Sequence, residues 1–380
     1  MRIEVSTPTT PLGRSIRPIL SGLDRGVISP ILAARARRSA VSRPPSQHLD
    51  FFLDLEVSPI TFDIATFLVG AELKRRRTGV PSIRLILVPG RAKDGLREEM
   101  PDYEAAVDRD ARSWRIRHVV LPVSELLPAV QSLVLCADRT EAARLRGDAA
   151  HVFPDGYVTD MPVPPSAWDI RAALTEANDP WPLLVAPEQA QRAVRRFVET
   201  TVGKRRLVVI TLREYGYNPD RNSRLDDWLE FAGELDPESY AVVFVPDFDR
   251  SLEPRPELKP YLTLPQAAWN VALRLALYEQ AHVCLAIGQG PMELAWYSEA
   301  CRYVTFVEID SAPQTTVEQL AACGIQAGAT PSFAKPWQRW VWKPDKIEHI
   351  RTAFTDSIAQ AEADNWPERE CIRSVPAATL

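Results

Sequence analysis

A chain of 380 residues is long enough for two domains of ordinary size. Its composition, 46% hydrophobic and 25% charged, is that of a soluble globular protein, and a formal charge of -5 gives no general basis for binding nucleic acid, so any anion site has to be local. The five cysteines, Cys136, Cys284, Cys301, Cys323 and Cys371, contain no CxxC pair; this argues against a zinc cluster or a disulfide framework and fits a reducing, cytoplasmic compartment.

Residues 1–47 read as a basic, flexible arm. Residues 1–48 hold eight arginines against Glu4 and Asp24, and the segment "VISPILAARARRSAV" offers a short basic amphipathic helix to an anionic membrane face, as a peripheral contact. The same bias is shared by solvated tails and by organellar transit peptides. Residues 1–25 lack the apolar stretch of a signal peptide, and nowhere does an apolar run reach the roughly 18 residues of a membrane span.

From residue 48 strand-like and helix-like segments alternate. "LDFFLDLEV" reads as a strand, "SPITFDIATFLVGAELKRRRTG" as a helix and "SIRLILVPG" as a second strand, one βαβ unit. Ser58 is placed to cap that helix and Pro59 to sit in its first turn, while Lys74, Arg75, Arg76 and Arg77 suit the last turn, where cations complement the dipole. A further strand is expected at Arg117 to Leu121 with a helix after it, completing a first α/β domain over 48–165. The prolines of 151–168 mark a linker or a cleft-lining segment.

The second domain, 166–345, alternates again. A helix at Pro187 to Thr200 precedes the strand "RLVVITL", the helix "RLDDWLEFAGEL", the strand "YAVVFVPDF" and the helix "QAAWNVALRLALYEQ". The strand "HVCLAIG", the helix "PMELAWYSEA" and the strand "YVTFVEI" follow. Uninterrupted apolar strands of this kind are expected of a parallel sheet covered on both faces. Residues 346–363 form an amphipathic helix with Ile347, Ile350, Phe354 and Ile358 on one face, and 364–380 are a tail.

Parallel α/β sheets bind ligands beyond the carboxyl ends of their strands, so the loops at those ends carry the functional reading. After "RLVVITL" come Arg213, Tyr215, Tyr217, Arg221, Asn222 and Arg224. Guanidinium forks suit phosphate oxygens, and the loop reads as a phosphate or diphosphate clamp. The structural alternative is that Arg213 and Arg221 pair with Glu214, Asp220, Asp226 or Asp227. After "HVCLAI" come Gly288, Gln289, Gly290, Pro291, Met292 and Glu293, a turn whose glycines permit close backbone approach to a ligand and whose proline suits the start of a helix. It is neither a dinucleotide fingerprint nor a Walker loop. Asp247 and Asp249, after "YAVVFV", are placed to bind sugar hydroxyls or to cap a turn.

In the first domain Glu56 and Asp63 flank a helix start and are candidates for a general base. Asp63 serves equally as a first-turn acid favoured by the dipole. Five scattered histidines form no HxH or HExxH spacing, no further Asp cluster accompanies Asp247 and Asp249, and no metal or cofactor is expected.

"VVITLREYGYNPDRNS" and "ALRLALYEQAHVCLAIGQGPMELAWYSEACRYVTF" resemble the donor-binding half of GT-B glycosyltransferases, the first fucosyltransferase-like and the second heptosyltransferase-like. "QRWVWKPDKIEHIRTAF" is similar to a GT-B ending. The resemblance covers about residues 49–360. It implies two Rossmann-like α/β domains with parallel sheets facing a cleft, and a terminal helix packed back on the first domain.

It further implies metal-independent transfer of a sugar from a nucleotide-diphosphate donor to a glycan or small-molecule hydroxyl, in polysaccharide biosynthesis. Arg213 would stabilise the leaving diphosphate, with Tyr215, Arg221, Asn222, Asp247 and the Gly288 to Glu293 turn holding the donor, and Glu56 or Asp63 activating the acceptor. The alternative is a catalytically silent relative that binds a sugar nucleotide as an adaptor.

Overall fold

The computed structural model describes residues 47–176, 184–309, 312 and 315–363. The basic arm up to residue 46 and the tail of 364–380 lie outside the described residues. In chain order the first elements are β1 (His48–Asp54), α1 (Ile64–Thr78), β2 (Ser82–Val88), α2 (Pro101–Ala106), α3 (Arg109–Arg115) and α4 (Leu121–Ser124). Then come β3 (Val130–Leu135), α5 (Arg139–Asp148), β4 (Val152–Phe153), α6 (Ala167–Glu176), α7 (Glu188–Phe197), β5 (Arg206–Thr211) and α8 (Leu225–Glu234). The remainder comprises β6 (Tyr240–Val245), β7 (Leu262–Thr263), α9 (Gln266–Trp269), α10 (Val271–Gln280) and β8 (Val283–Ile287). Last are α11 (Glu293–Trp296), β9 (Tyr303–Phe306), α12 (Val317–Ala322), β10 (Gln338–Val341) and α13 (Ile347–Ala363).

The described residues form two compact units that are not contiguous in sequence. One takes 47–58, 74–98 and 131–165; the other takes 59–73, 99–130 and the described part of 166–363. The first holds a four-stranded sheet of order β3-β2-β1-β4, with β1 parallel to both β2 and β4. Its strand β1 is buried over nearly its whole length, as its unbroken apolar run requires. The polar exceptions are compensated: Asp50 lies opposite Arg84 in the register and accepts two hydrogen bonds from its guanidinium, at 2.6 and 2.9 Å. Phe52, Ile86, Val88 and Tyr157 form the core on one side.

The second unit holds a six-stranded sheet of order β10-β9-β8-β5-β6-β7, every pair parallel. Val208, Ile210, Phe244, Leu285 and Phe306 fill its core together with Trp228 and Phe231 of α8. Each such fully buried side chain contributes about 1.5–3 kcal/mol. Helix α13 presents Ile350 and Phe354 to this same core, and Arg351 on its other side binds Glu230 and Glu234 of α8. Its apolar face is therefore spent in the second unit, where the resemblance had placed it on the first domain.

Four local readings of the sequence are corrected. The amides of Val57 and Ser58 both donate to the Asp54 carbonyl, at 3.1 and 2.8 Å. Ser58 thus closes a turn after β1, its buried hydroxyl caps nothing, and α1 starts only at Ile64. The strand expected at Arg117 to Leu121 is helical, a π turn over Ile116–Val120 between α3 and α4. Val119, Val120, Val123, Leu126 and Leu127 are all buried, a helical repeat that a short apolar run does not distinguish from a strand.

The helix expected over Gln266 to Gln280 is broken at Asn270, whose side chain accepts the Leu273 amide at 2.9 Å and starts α10 afresh. The one expected from Pro291 to Ala300 shrinks to a 3₁₀ turn, Gly290–Met292, and the single turn of α11. Gln338 donates to the carbonyls of Ser298 and Cys301, at 2.8 and 3.0 Å, and holds them out of a helical path.

Candidate functional site

A cavity of about 480 Å³ lies within the second unit, at the carboxyl ends of β5, β6 and β8. The loop after β5 is organised by its own polar groups. Asn218 adopts a left-handed conformation with φ of 53°, which asparagine tolerates, and turns the chain ahead of Pro219. Asn222 is the hub: its Oδ1 accepts from Arg213 Nη1 at 2.5 Å and from the Tyr215 amide at 3.0 Å, and its Nδ2 donates to the Tyr215 carbonyl.

Arg213 is 7% exposed. Its guanidinium donates to the Asn218 carbonyl at 3.0 Å, to Asn222 and to the Tyr217 carbonyl at 2.6 Å. Arg221 donates to the Gly288 carbonyl at 2.9 Å. Both lie against neutral oxygens; neither has a salt bridge among the described residues. Of the four acids expected to neutralise them, Glu214 pairs with Arg250 and Arg255 and Asp227 accepts the Ile347 amide. Arg224, by contrast, has acidic partners, meeting Asp345 and Glu308.

The cost of leaving two guanidinium groups unneutralised shows in their proton affinity. Burial, with Arg221 close by and the Asp247 charge only partly offsetting them, pulls Arg213 down to about 10, and burial lowers Arg221 as well. Burying a cation without an opposite charge is unfavourable unless something later supplies that charge. Arg115, from α3, adds a third cation: it donates to Tyr215 Oη at 2.6 Å, and Arg115 and Arg213 both lie over the Tyr215 ring, 5.3 and 5.5 Å from its centroid.

The loop after β8 completes the wall. Gln289 donates to the Thr211 carbonyl at 3.0 Å, tying the loop to β5. Gly290 lies so close to Phe62 that a Cβ there would come within 3.1 Å of the ring, so any larger residue has to push the ring aside. Because α11 is a single turn, its dipole adds little, and anion binding here falls to the arginines.

Of the thirteen residues expected to hold the donor or activate the acceptor, ten line this one cavity: Asp63, Arg213, Tyr215, Arg221, Asp247, Gly288, Gln289, Gly290, Pro291 and Glu293. Three do not. Asn222 acts from behind, through Arg213 and Tyr215. Met292 is fully buried. Glu56 belongs to the first unit, where its carboxylate accepts the Arg91 amide at 2.7 Å and faces the Arg91 guanidinium at 3.5 Å. Asp247 lines the cavity with both oxygens occupied, Oδ2 by the Glu214 amide and Oδ1 by the Phe248 amide, so its turn-capping role is realised.

The acids Asp63 and Glu293 reach the cavity from different segments. Thr61 donates to Asp63 Oδ2 at 2.6 Å. Glu293 Oε2 lies 2.9 Å from Thr66 Oγ1, one turn along α1 from Asp63. Burial, reinforced by the charge of Asp63, pushes Glu293 well above the usual carboxylate range. Arg171, which burial alone would weaken as a base, is raised because Tyr297 and Glu293 outweigh it.

Sequence reasoning passed over Arg115, Arg171 and Arg274, all on helices that line the cavity. Arg274 had a readable signal, being the one charge inside the apolar run "VALRLALY". Trp114 was also missed. It stacks on His118, with centroids 4.4 Å apart, and packs on Phe248 at 4.2 Å, forming an aromatic end to the cavity.

No protein-family model matches the sequence, and neither does any curated protein. Among solved structures the chain is similar to Escherichia coli ADP-heptose lps heptosyltransferase II, with a TM-score of 0.51 and 10% identity over 83% of this chain and 99% of that one. It also aligns with a glycosyl transferase family 9 protein from Veillonella parvula (TM-score 0.46, 10% identity, 85% and 90% covered). A third match is the Methanocaldococcus jannaschii UDP-GlcNAc 2-epimerase (TM-score 0.30, 13% identity, 82% and 92% covered). The first of these likenesses establishes the fold: α/β of the GT-B type, built on two parallel sheets.

Proposed function

We propose that the chain is a glycosyltransferase that moves a sugar from a nucleotide-diphosphate donor to a hydroxyl of a glycan or small molecule, without a divalent metal. The observation that carries this reading is the pair Arg213 and Arg221, two cavity-lining guanidinium groups with neutral partners only. Their electrostatic need matches the charge that develops on a departing diphosphate, where fixed cations lower the barrier most. The GT-B fold agrees with such a donor, and the ADP-heptose named for the E. coli protein makes ADP sugars the first to try.

In this reading Asp63 takes the proton of the attacking acceptor hydroxyl. The oxygen bonds to the anomeric carbon, the bond to the diphosphate breaks, and its electron pair leaves with the diphosphate towards Arg213 and Arg221. Tyr215, held by Arg115 and Asn222, shapes the cavity wall beside them. The silent-adaptor alternative required both Glu56 and Asp63 to be turned from the donor site; Asp63 lines the cavity, which supports transfer.

The test is a thermal-shift screen of the full chain against ADP, UDP, GDP and CMP sugars, since a ligand of the native state raises its melting temperature. A shift with one nucleotide class and release of its diphosphate on adding acceptor are expected. Silence with every class would remove the reading.

We further propose action in polysaccharide assembly at the cytoplasmic membrane face, with the basic residues 1–48 as peripheral contact. Among the described residues no helix is long and apolar enough to cross a membrane. Sedimentation with anionic vesicles should be lost when residues 1–46 are deleted; unchanged sedimentation would refute the contact.

A further inference from the structure

The loops that wall the cavity follow three neighbouring strands, in the order β8, β5, β6. On the β8 side Gly290 lies against Phe62, the chain neighbour of Asp63. Arg213 follows β5 in the middle, and Arg221 of the same loop reaches the Gly288 carbonyl. On the β6 side stands the aromatic end, where Trp114 packs on Phe248 and Phe248 on Trp269, both pairs with centroids 4.2 Å apart. A donor whose anomeric carbon faces Asp63 and whose diphosphate meets Arg213 and Arg221 therefore carries its nucleobase towards the β6 side, where flat apolar walls suit it.

A buried cation is built into that end. Arg274, on α10, lines the cavity and is 3% exposed. Its Nε donates at 2.7 Å to the carbonyl of Ala267 on α9, the helix that carries Trp269, and its Nη1 donates to Tyr278 Oη at 3.3 Å. Burial raises Tyr278, so its hydroxyl keeps a proton and donates it to Thr211 Oγ1, 2.9 Å away. The guanidinium is thus fixed at two points, and its Nη2 has no partner among the described residues. Because a guanidinium only donates, whatever Nη2 meets has to accept.

We propose that Arg274 selects the nucleobase of the donor, taking a base that presents a carbonyl to it (hypoxanthine, guanine, uracil) over one that presents an exocyclic amine (adenine, cytosine). The selection rests on the transfer reading, which supplies the nucleotide, and goes beyond it in choosing the class. Opposite an amine, two donors face one another and Nη2 stays buried without an acceptor, a loss that shape does not recover. Opposite the carbonyl and ring nitrogen of a 6-oxopurine, or a carbonyl of uracil, the donor is satisfied. This order is the reverse of the one that the ADP-heptose of the E. coli protein suggests; at 10% identity that likeness carries the fold and not the base.

Calorimetry on the full chain with two matched pairs reads the choice directly. IDP and ADP differ at C6 of the base, UDP and CDP at C4, each by a carbonyl against an amine. In every pair that binds, the carbonyl member is expected to be tighter by about 10- to 100-fold. Arg274→Gln, whose amide both donates and accepts, should bring the two members together, whereas Arg213→Ala should weaken both and leave their ratio unchanged. The wild-type ratios decide the matter even where Arg274→Gln fails to fold. Equal affinity within a pair that binds, or a variant that weakens all four nucleotides alike, overturns the selection and leaves the transfer reading standing. Binding of none of the four by the wild type removes both.

Discussion

Asp54 ends β1 and Arg213 follows β5 by two residues, so each stands at the carboxyl end of the first strand of its sheet. Around Asp54 every charge is matched. Both its oxygens accept from Arg139 at 2.9 Å, Oδ2 accepts the Tyr157 hydroxyl at 2.7 Å and Oδ1 the Glu56 amide at 3.0 Å. Arg139 spends its remaining donors on the carbonyls of Pro89 and Thr159. Around Arg213 the guanidinium makes three hydrogen bonds, and every partner is a neutral oxygen. Geometry alone does not separate the two networks; charge does. A closed network is complete without a ligand, whereas one that leaves two cations facing a cavity is completed by an anion.

This difference is broken most forcefully at Asp54. Asp54→Ala strands a half-buried guanidinium and should cost about 3–5 kcal/mol of stability, seen in urea or thermal unfolding. A loss below about 1 kcal/mol, the worth of an exposed pair, would show that the closed network is dispensable. Arg213→Ala should behave oppositely. The chain stays folded, with a melting temperature far less disturbed than in Asp54→Ala, and calorimetry should show nucleoside-diphosphate affinity weaker by about 2–4 kcal/mol, some 30- to 1000-fold. Unchanged affinity would remove the clamp.

The strands β1, β2, β5, β6, β8 and β9 and the cavity loops were legible because their signals are local, whereas β3, β4, β7 and β10 were not read as strands. Runs rich in β-branched apolar residues, such as Leu207 to Leu212, suit a strand buried on both faces, and the loops beyond such strands are where ligands go. What escaped depended on partners distant in sequence. Whether Arg213 and Arg221 were neutralised could not be read from "REYGYNPDRNSRLDD", because Glu214 is claimed by Arg250 and Arg255 and Asp227 by the start of α13. The helical state of Ile116 to Val120 was hidden by a run too short to show its period. Arg115 and Arg171 were invisible as site residues because only tertiary contacts carry their helices to the cavity.

Glu293 extends the comparison to an acid whose charge the fold suppresses. Its folded-state pKa lies above the unfolded value of about 4.3, so ionisation is easier in the unfolded chain and stability falls as pH rises from that value towards the folded one. Below about 4.3 both states are protonated and the term is silent. Glu293→Gln cannot ionise. Its unfolding free energy relative to wild type should therefore improve with pH by up to about 1.4 kcal/mol per unit between pH 5 and the folded pKa. Denaturant curves at pH 5, 6 and 7 measure this, and a constant offset between the two proteins would contradict it.

The smallest expected effect is that of a chelator. A cation-dependent donor site needs several carboxylates with free lone pairs near the diphosphate, and of the two acids after β6 that line the cavity, Asp247 and Asp249, the first is engaged elsewhere. Asp247 has both oxygens on backbone amides, at 2.9 and 2.7 Å, and among the described residues no group of three or more His, Cys, Asp or Glu side chains is arranged to hold a metal. In the proposed reading, the charge that Mg²⁺ supplies in other phosphate sites would come from Arg213 and Arg221, fixed by Asn222 and by the Gly288 carbonyl. Nucleotide binding and turnover in EDTA should thus match those in buffer within error. Loss of turnover in EDTA that added Mg²⁺ restores would mean that the two arginines do not carry the diphosphate charge alone, and that the open network around β5 is completed by a cation as well as by the donor.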